Sequence, residues 1–492
     1  LMTARADALL AWLRDYAERH VNSRLIDERR CLPPNIVLDF GNRGLFGLEA
    51  PERYGGLALS ERDALRVYMQ LGAIDVSLGT MVFLHNTNGI LPILHHATAA
   101  TREELMPGLA QGRELAAFAL SEPEAGSNLA GLRARAVSDG EGWTLHGVKR
   151  WNGSAWAGTM SVFVRDTDAR GRLRGLTGFA VRQSAPGVKL GPESLTMGIR
   201  GIVQNSVEFA GVRVTREQVL GEPGQGMKVI GDVLAHGRLG AAAVAIGAAQ
   251  RAAQLIYRYA SRREIETGLL LDNPWLAQKF SELLHRIAAD EELLLHFAER
   301  HDTGAAPVPE LSMAVKVSAT DTANFAADLL VQLLGGRGYM ETNLAPQMFR
   351  DVRMLSIGEG ANESLLAALG RDVRLGAAMD TFLRQYAPES GLADRLAAVS
   401  VHAWHDALRG RLAVAALNAA AARATGDEAA SLFAGEVFER LCAEAERGAP
   451  SALLSSEVIR MRCEELKTRI GDTEPLAPGV DLELDPLLRR ER

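Results

Sequence analysis

The stretch "LRARAVSDGEGWTLHGVKRW", residues 132–151, decides how this chain is organised. Apolar and polar residues alternate on both sides of "DGEG", the pattern of two strands joined by a tight turn. Upstream the period is different. "ADALLAWLRDYAERHV" (6–21) and "RDALRVYMQLGAI" (62–74) repeat apolar residues at three- and four-residue spacing, which predicts helices. "PERYGG" (51–56) is a turn between them. Downstream, "MSVFVRD", "LTGFAVRQ", "VKLG" and "NSVEFAGVRV" continue as short strands, and "GEPGQGM" (221–227) closes them. Long Ala-rich helical patterns return from about residue 226, such as "AAAVAIGAAQRAAQLIYRYASRR" (241–263), and suit a helix bundle. A further helical segment covers 375–470, with breaks expected at "LGRDVRLG" and "APESG". The turn-rich "GDTEPLAPGVDLELDPLLRRER" (471–492) reads as a tail.

The fold class expected is therefore α+β and multidomain. An N-terminal α-helical domain spans 1–114, a middle antiparallel β-domain 115–225, a C-terminal four-helix bundle 226–372, and a helical extension with tail 373–492. This order is not the alternating βαβ order of a dinucleotide-binding fold.

Bulk composition narrows the function. The formal charge is 54 − 61 = −7, which disfavours binding to nucleic acid or anionic lipid. Cys31, Cys442 and Cys463 are far apart and form no CxxC pair, which argues against a zinc site built on cysteine and against a disulfide framework. They fit a reducing, cytoplasmic setting. The first residues lack a signal peptide's basic region and cleavage site, and Leu1 ahead of Met2 suggests either a cloning scar or a piece cut from a longer chain. No apolar run reaches the roughly 18–20 residues a membrane span needs.

Four short segments could carry chemistry. "AFALSEPEAGSN" (117–128) offers Ser121, Ser127 and bare amides in a turn at the mouth of the β-domain. "GVKRWNGSAWAG" (147–158) puts Trp151 and Trp156 at a strand end, where indoles serve either core packing or a flat ring. "LLGGRGYMET" (333–342) follows a helical run, so its glycines read equally as a left-handed helix cap and as a place of close backbone approach. "SIGEGANES" (356–364) sets Glu359 between two glycines. Taken alone, such a residue is usually a solvated loop acid.

In this order and spacing the four segments resemble the acyl-CoA dehydrogenase family. "TMGIRGI" (196–202) and "HNTNGILPILHHATAATREELMPGLAQG" (85–112) add to the resemblance, which covers roughly residues 30–370. The resemblance implies an FAD-dependent α,β-dehydrogenation of an acyl thioester, either acyl-CoA or an acyl chain on a carrier protein. Glu359 matches the base that takes the α-proton while flavin N5 accepts the β-hydride. A carboxylate in an apolar pocket becomes a stronger base. Phe118, Leu120, Ser121, Ser127, Trp151, Gly153, Ala361 and Glu363 match flavin contacts. Arg263 matches an arginine that reaches a neighbouring subunit's flavin pyrophosphate, beside Gln332, Gly335 and Gly336. Ser127, Arg238 and Gly360 match the substrate side. An electron-transfer flavoprotein or another acceptor is implied as partner. The extension matches long-chain members, which implies a homodimer.

The sequence also departs from the family pattern. Gly153 stands where a hydroxyl residue is usual, and Gly358 where an aromatic is usual, which predicts a wider acyl pocket. The usual "RxxFG" is broken at Glu266 and Thr267. Ala235 replaces a common acidic residue, which points toward a carrier-bound acyl chain. The alternatives are a flavin-dependent oxidase or monooxygenase of the same superfamily, and a non-catalytic scaffold.

Overall fold

The computed structural model describes residues 2–154, 156, 158–168, 170–305, 308–375, 378–449 and 456–470. The predicted tail, 471–492, lies outside them. Seven helices open the chain: α1 (Met2–His20), α2 (Ser23–Arg29), α3 (Pro34–Asn42), α4 (Glu61–Ile74), α5 (Val76–Leu84), α6 (Leu91–His96) and α7 (Ala99–Ala110). A single π-helical turn, His85–Ile90, joins α5 to α6. Such turns are rare and cluster at functional sites.

Eight strands then form one sheet: β1 (Leu115–Ala119), β2 (Arg135–Ser138), β3 (Gly142–Gly153), β4 (Gly158–Thr167), β5 (Leu173–Arg182), β6 (Val188–Glu193), β7 (Gln204–Thr215) and β8 (Val219–Leu220). The order is β6-β7-β3-β2-β4-β5-β8, with β1 paired to β4. The predicted hairpin around "DGEG" is β2–β3, with Arg135 opposite His146. The sheet is largely antiparallel. Two pairs, β1–β4 and β2–β4, run parallel, which strand alternation alone could not reveal. Trp143, Phe179, Phe209 and Val162 fill its core.

The bundle comprises α8 (Gly226–Ala260), α9 (Pro274–Asp302), α10 (Pro309–Leu334), α11 (Leu344–Leu355) and α12 (Asn362–Leu375). Between α8 and α9 a two-stranded hairpin, β9 (Glu264–Ile265) and β10 (Gly268–Leu269), turns at Glu266 and Thr267. The residues that break the family's motif thus build a turn. The extension adds α13 (Ala378–Tyr386), α14 (Leu392–Ser400), α15 (Asp406–Ala424), α16 (Glu428–Glu446) and α17 (Ser456–Ile470). "LGRDVRLG" was expected to break the chain, but its first seven residues are the end of α12. The break at "APESG" does separate α13 from α14.

Helix α8 corrects a second expectation. It is long and apolar enough, by composition, to cross a membrane, yet most of its apolar stretch is buried inside the protein. It is alanine-rich because it crosses α4 at backbone distance. A Cβ on Gly247 would stand 1.9 Å from the Met69 carbonyl oxygen, and one on Gly72 would stand 2.3 Å from the Val244 carbonyl oxygen. Each helix presents a glycine to the other. The same device joins α12 to α15: a Cβ on Gly370 would stand 1.8 Å from Asp406 O, and one on Gly410 would stand 2.1 Å from Leu366 O.

Candidate active site

Glu359 lies in the loop between α11 and α12 with φ of 56°, a left-handed conformation that costs a non-glycine residue and marks functional positions. Three clamps hold the loop. Asn324 Nδ2 donates to Ser356 Oγ (2.7 Å). Lys316 Nζ donates to Gly360 O (2.7 Å) and to Asn362 Oδ1 (2.8 Å). Asn362 Nδ2 donates to Asp321 Oδ1 (2.8 Å). Lys316 is fully buried, and burial pulls its ammonium down to about 7. The sequence shows none of this, because Lys316, Asn324 and Asp321 sit inside an unremarkable helical run.

The Glu359 side chain points at the N-terminal helices. Its Oε1 accepts a hydrogen bond from Asn88 Nδ2 at 2.9 Å. Its Oε2 is shielded from solvent and has no hydrogen-bond partner. Arg238 Nε donates to the Glu359 backbone carbonyl at 3.3 Å. Burial raises the Glu359 carboxyl above its usual range; the Asn88 bond and the charges of Arg238 and Lys316 oppose the rise without cancelling it. The ionised carboxylate, with one open oxygen and a raised affinity for protons, can act as a base. Gly237, one residue before Arg238, makes room for it. A Cβ there would stand 2.5 Å from both Glu359 Oε2 and Asn88 Oδ1.

Asn88 comes from the π-helical turn, whose buried polar run "HNTN" is fixed residue by residue. His85 Nδ1 accepts from Ala116 N (3.1 Å), so its Nε2–H donates to Leu109 O (3.0 Å). Burial pushes this imidazole down to about 4, so it stays neutral. Asn86 Nδ2 bonds Leu45 O and Val82 O. The Thr87 hydroxyl shares its one proton between Phe83 O (2.8 Å) and Asn88 Oδ1 (3.0 Å), which keeps the amide oxygen on its side and the Asn88 amide nitrogen toward the carboxylate. A run of four buried polar residues was the available signal for Asn88. Removing that amide takes away a bond to the ionised form. Asn88→Ala is therefore expected to move the acid limb of the pH–kcat/KM profile to higher pH, with FAD content unchanged. An unmoved limb would contradict the role.

The two β-domain segments meet each other. Arg150 N donates to Ser121 O at 2.9 Å, which ties the 117–128 loop beside Trp151. Glu122 organises that loop: its carboxylate accepts from Arg133 N, Ala134 N and Lys149 Nζ (2.6, 3.0 and 2.7 Å). Lys149 is fully buried and also donates to Leu120 O (2.8 Å), so a ligand contact from Leu120 falls to its N–H. Lys149→Met would strand the Glu122 charge, and a loss of about 3 kcal/mol in denaturant unfolding is expected. Trp151 has φ of 58° and stands about half exposed, with the Arg150 guanidinium 4.9 Å over its ring. Phe118 is half-buried against Phe163, and Ser127 is exposed. The Cβ position of Gly153 is 3.7 Å from Ile202, an ordinary contact, so a hydroxyl residue would fit there.

Ile202 belongs to "TMGIRGI", which locks onto α11. Ile199 N donates to Asp351 Oδ1 (2.6 Å), and a Cβ on Gly198 would stand 2.3 Å from Arg350 O. In the charged run "FRDVRM" (349–354), Asp351 is buried and Arg350 pairs with Glu341 at 2.7 Å and with Asp27, while Arg353 is exposed. Gly358 opens less space than expected, because Met354 Sδ lies 3.0 Å from its Cβ position.

The bundle-side candidates lie on the surface of the single chain. Arg263, Gln332, Gly335, Gly336 and Glu363 are exposed, and Ala361 and Gly360 are partly covered. Gly335 does cap α10, with φ 58° and ψ −136°, so it occupies a region open to glycine and not the predicted left-handed one. Open space surrounds the Cβ positions of Gly126, Gly335 and Gly336. A half-exposed indole at Trp151 and side-chain-free backbone beside open space at Gly126, Gly335 and Gly336 fit a flat, phosphate-bearing cofactor.

Models of three acyl-CoA dehydrogenase domains match in succession: the N-terminal domain over residues 3–113, the middle domain over 117–212 and the C-terminal domain over 224–373. The acyl-CoA dehydrogenase of Bacillus subtilis is 30% identical over 355 residues, 71% of this chain and 93% of that protein. This chain belongs to the acyl-CoA dehydrogenase family. Members of the family are flavoenzymes that act on CH–CH donors and bind FAD. The butyryl-CoA dehydrogenase structure from Megasphaera elsdenii superposes with a TM-score of 0.71 at 25% identity, covering 75% of this chain and 98% of that one. An acyl-CoA dehydrogenase of Bacillus anthracis, solved with FAD, gives a TM-score of 0.73 at 20% identity. It covers 94% of this chain and 91% of that one, so the fold it shares includes the extension.

Proposed function

We propose that this family member dehydrogenates an acyl thioester at Cα–Cβ, with Glu359 as the base for the α-proton. The observation that supports it most is the Glu359 Oε2 atom: buried, unpartnered, and kept clear by Gly237. When bound, FAD supplies the acceptor for the hydride from Cβ. Ser121, Ser127, Trp151 and the amides around Leu120 would hold its ring, and Arg238 stands on the thioester side of the base. The Glu359 and Gly360 amides can donate to the thioester carbonyl as negative charge develops there, the kind of term that contributes most to such reactions. The Lys316 clamp fixes the loop, so that the carboxylate is placed before substrate arrives.

Arg263, Gln332, Gly335 and Gly336 are exposed on the single chain and serve a second subunit. Tyr339, Met340 and Trp275 are large apolar side chains left exposed in the same part of the fold. A homodimer is expected, and light scattering checks it. The reoxidant is an electron-transfer flavoprotein or an equivalent acceptor. Ala235 favours an acyl chain carried on a protein arm. The test is an anaerobic titration of the purified holoenzyme with acyl-CoA and acyl-carrier-protein thioesters. Bleaching of the flavin band by one class names the reaction and the substrate. Absence of bleaching with every thioester removes the proposal.

A further inference from the structure

On the far side of α8 from Arg238 lies a second group of titratable side chains that the dehydrogenation does not use. His236 precedes Arg238 by two residues, about 200° around the helix. With it come Glu61 from the first turn of α4 and His301 from the last turn of α9. One donor atom from each residue lies within 4.8 Å of the others.

The three side chains stand in ion-pair contact, at distances that a shared ion would also meet. His236 Nε2 is 3.7 Å from Glu61 Oε1, too far for a hydrogen bond. Two donors on one tetrahedral zinc, with bonds of about 2.1 Å, stand about 3.4 Å apart. His301 Nδ1 is 2.9 Å from Glu61 Oε2, yet that oxygen is buried with no properly directed hydrogen bond. The tautomer of His236 is already set. Its Nδ1 donates to the Asp232 carbonyl one turn back (3.0 Å), which leaves the Nε2 lone pair facing Glu61, the arrangement by which proteins orient a metal-binding histidine. Tyr68, two turns along the same face of α4, adds a hydroxyl that is also buried and unpartnered. The Glu61 side chain is 6% exposed and that of His236 11%, while that of His301, at 38%, opens the site to solvent. The neighbouring trio His95, His96 and Asp232 differs: Asp232 Oδ2 accepts from both imidazoles at 3.2 and 2.8 Å and is satisfied.

We propose that Glu61, His236 and His301 bind one divalent transition-metal ion of the zinc class, with a water at the solvent-facing position. Two nitrogens and a carboxylate oxygen suit zinc, and exclude calcium or magnesium as preferred occupants. The ion ties α4 of the N-terminal helices to α8 and α9 of the bundle, so its role is structural.

The test uses holoenzyme stripped with a chelator and titrated with zinc chloride, followed by calorimetry, metal content after gel filtration and thermal midpoint. The expected result is one equivalent bound with a Kd of about 1 µM or tighter, and a thermal midpoint that rises with zinc. His236→Ala and His301→Ala should each weaken binding by about 100-fold or more, since loss of mere outer-shell partners already costs 10–100-fold. His301 is solvent-facing, so its variant reports even if changes at buried Glu61 prevent folding. His402→Ala, in an exposed turn, should leave binding unchanged. Absence of binding below about 100 µM zinc overturns the proposal. So does undiminished affinity in both His236→Ala and His301→Ala, which would move the ion to His95, His96 and Asp232.

Discussion

Replacing Glu359 with Gln is expected to slow reduction of the bound flavin by an acyl thioester about 10³-fold or more, while FAD content stays unchanged. General-base removal typically costs 10²–10⁴-fold, and a factor of 10³ corresponds to about 4 kcal/mol of barrier. The substitution keeps the shape of the side chain. Its carbonyl oxygen can still accept from Asn88 Nδ2, now 2.9 Å from Glu359 Oε1, and the Lys316 clamp acts on backbone and on Asn362, not on the carboxylate. A loss of rate therefore reports the missing proton acceptor and not a collapsed loop. The pH dependence follows from the same group. Burial raises its carboxyl above the ordinary carboxylate range. The active form is deprotonated, so kcat/KM is full above the raised pKa and falls as pH drops through it. Single-turnover absorbance of the flavin band measures both effects. A Gln variant within tenfold of the parent rate would remove Glu359 from the chemistry.

The second large effect belongs to the helix crossing. Gly247→Leu is expected to cost about 5 kcal/mol or more, enough to leave little folded protein. Its Cβ alone would meet the Met69 carbonyl at 1.9 Å, a backbone atom that no rotamer change can move. The helices would have to separate, uncovering part of a core that includes Val67, Leu71, Val244 and Ala248. Gly435 is the internal control. It lies in α16 with open space around its Cβ position, so Gly435→Ala should stabilise by about 0.5–1 kcal/mol through helix propensity. Denaturant unfolding of the pair reads both signs. Equal behaviour of the two variants would show that backbone proximity does not control this crossing.

The alternation around "DGEG" and the helical periods on either side were enough to reveal the α–β–α order, because both signals are local and repeat over many residues. Parallel pairing of β1 and β2 with β4 is a long-range choice and left no local trace. Glu359 stood out only in company with the other motifs. Its immediate environment was hidden for a physical reason: Asn88, Gly237 and Lys316 act through tertiary contacts across as many as 271 residues of chain. A glycine or lysine inside a helical run looks alike whether it faces a carboxylate or water. The ion pair between Arg350 of α11 and Asp27 of α2 was hidden for the same reason.

The reciprocal glycines of α12 and α15 bear on how the chain can be dissected. The family's C-terminal domain model ends at residue 373, inside α12. A cut there would shear off Asp406 and its neighbours and leave a trough one backbone deep along the helix that begins at Asn362. The segment past that point is thus a wall of the catalytic body rather than a detachable passenger, and a shortened version trimmed at that limit should emerge as inclusion bodies rather than as a minimal enzyme.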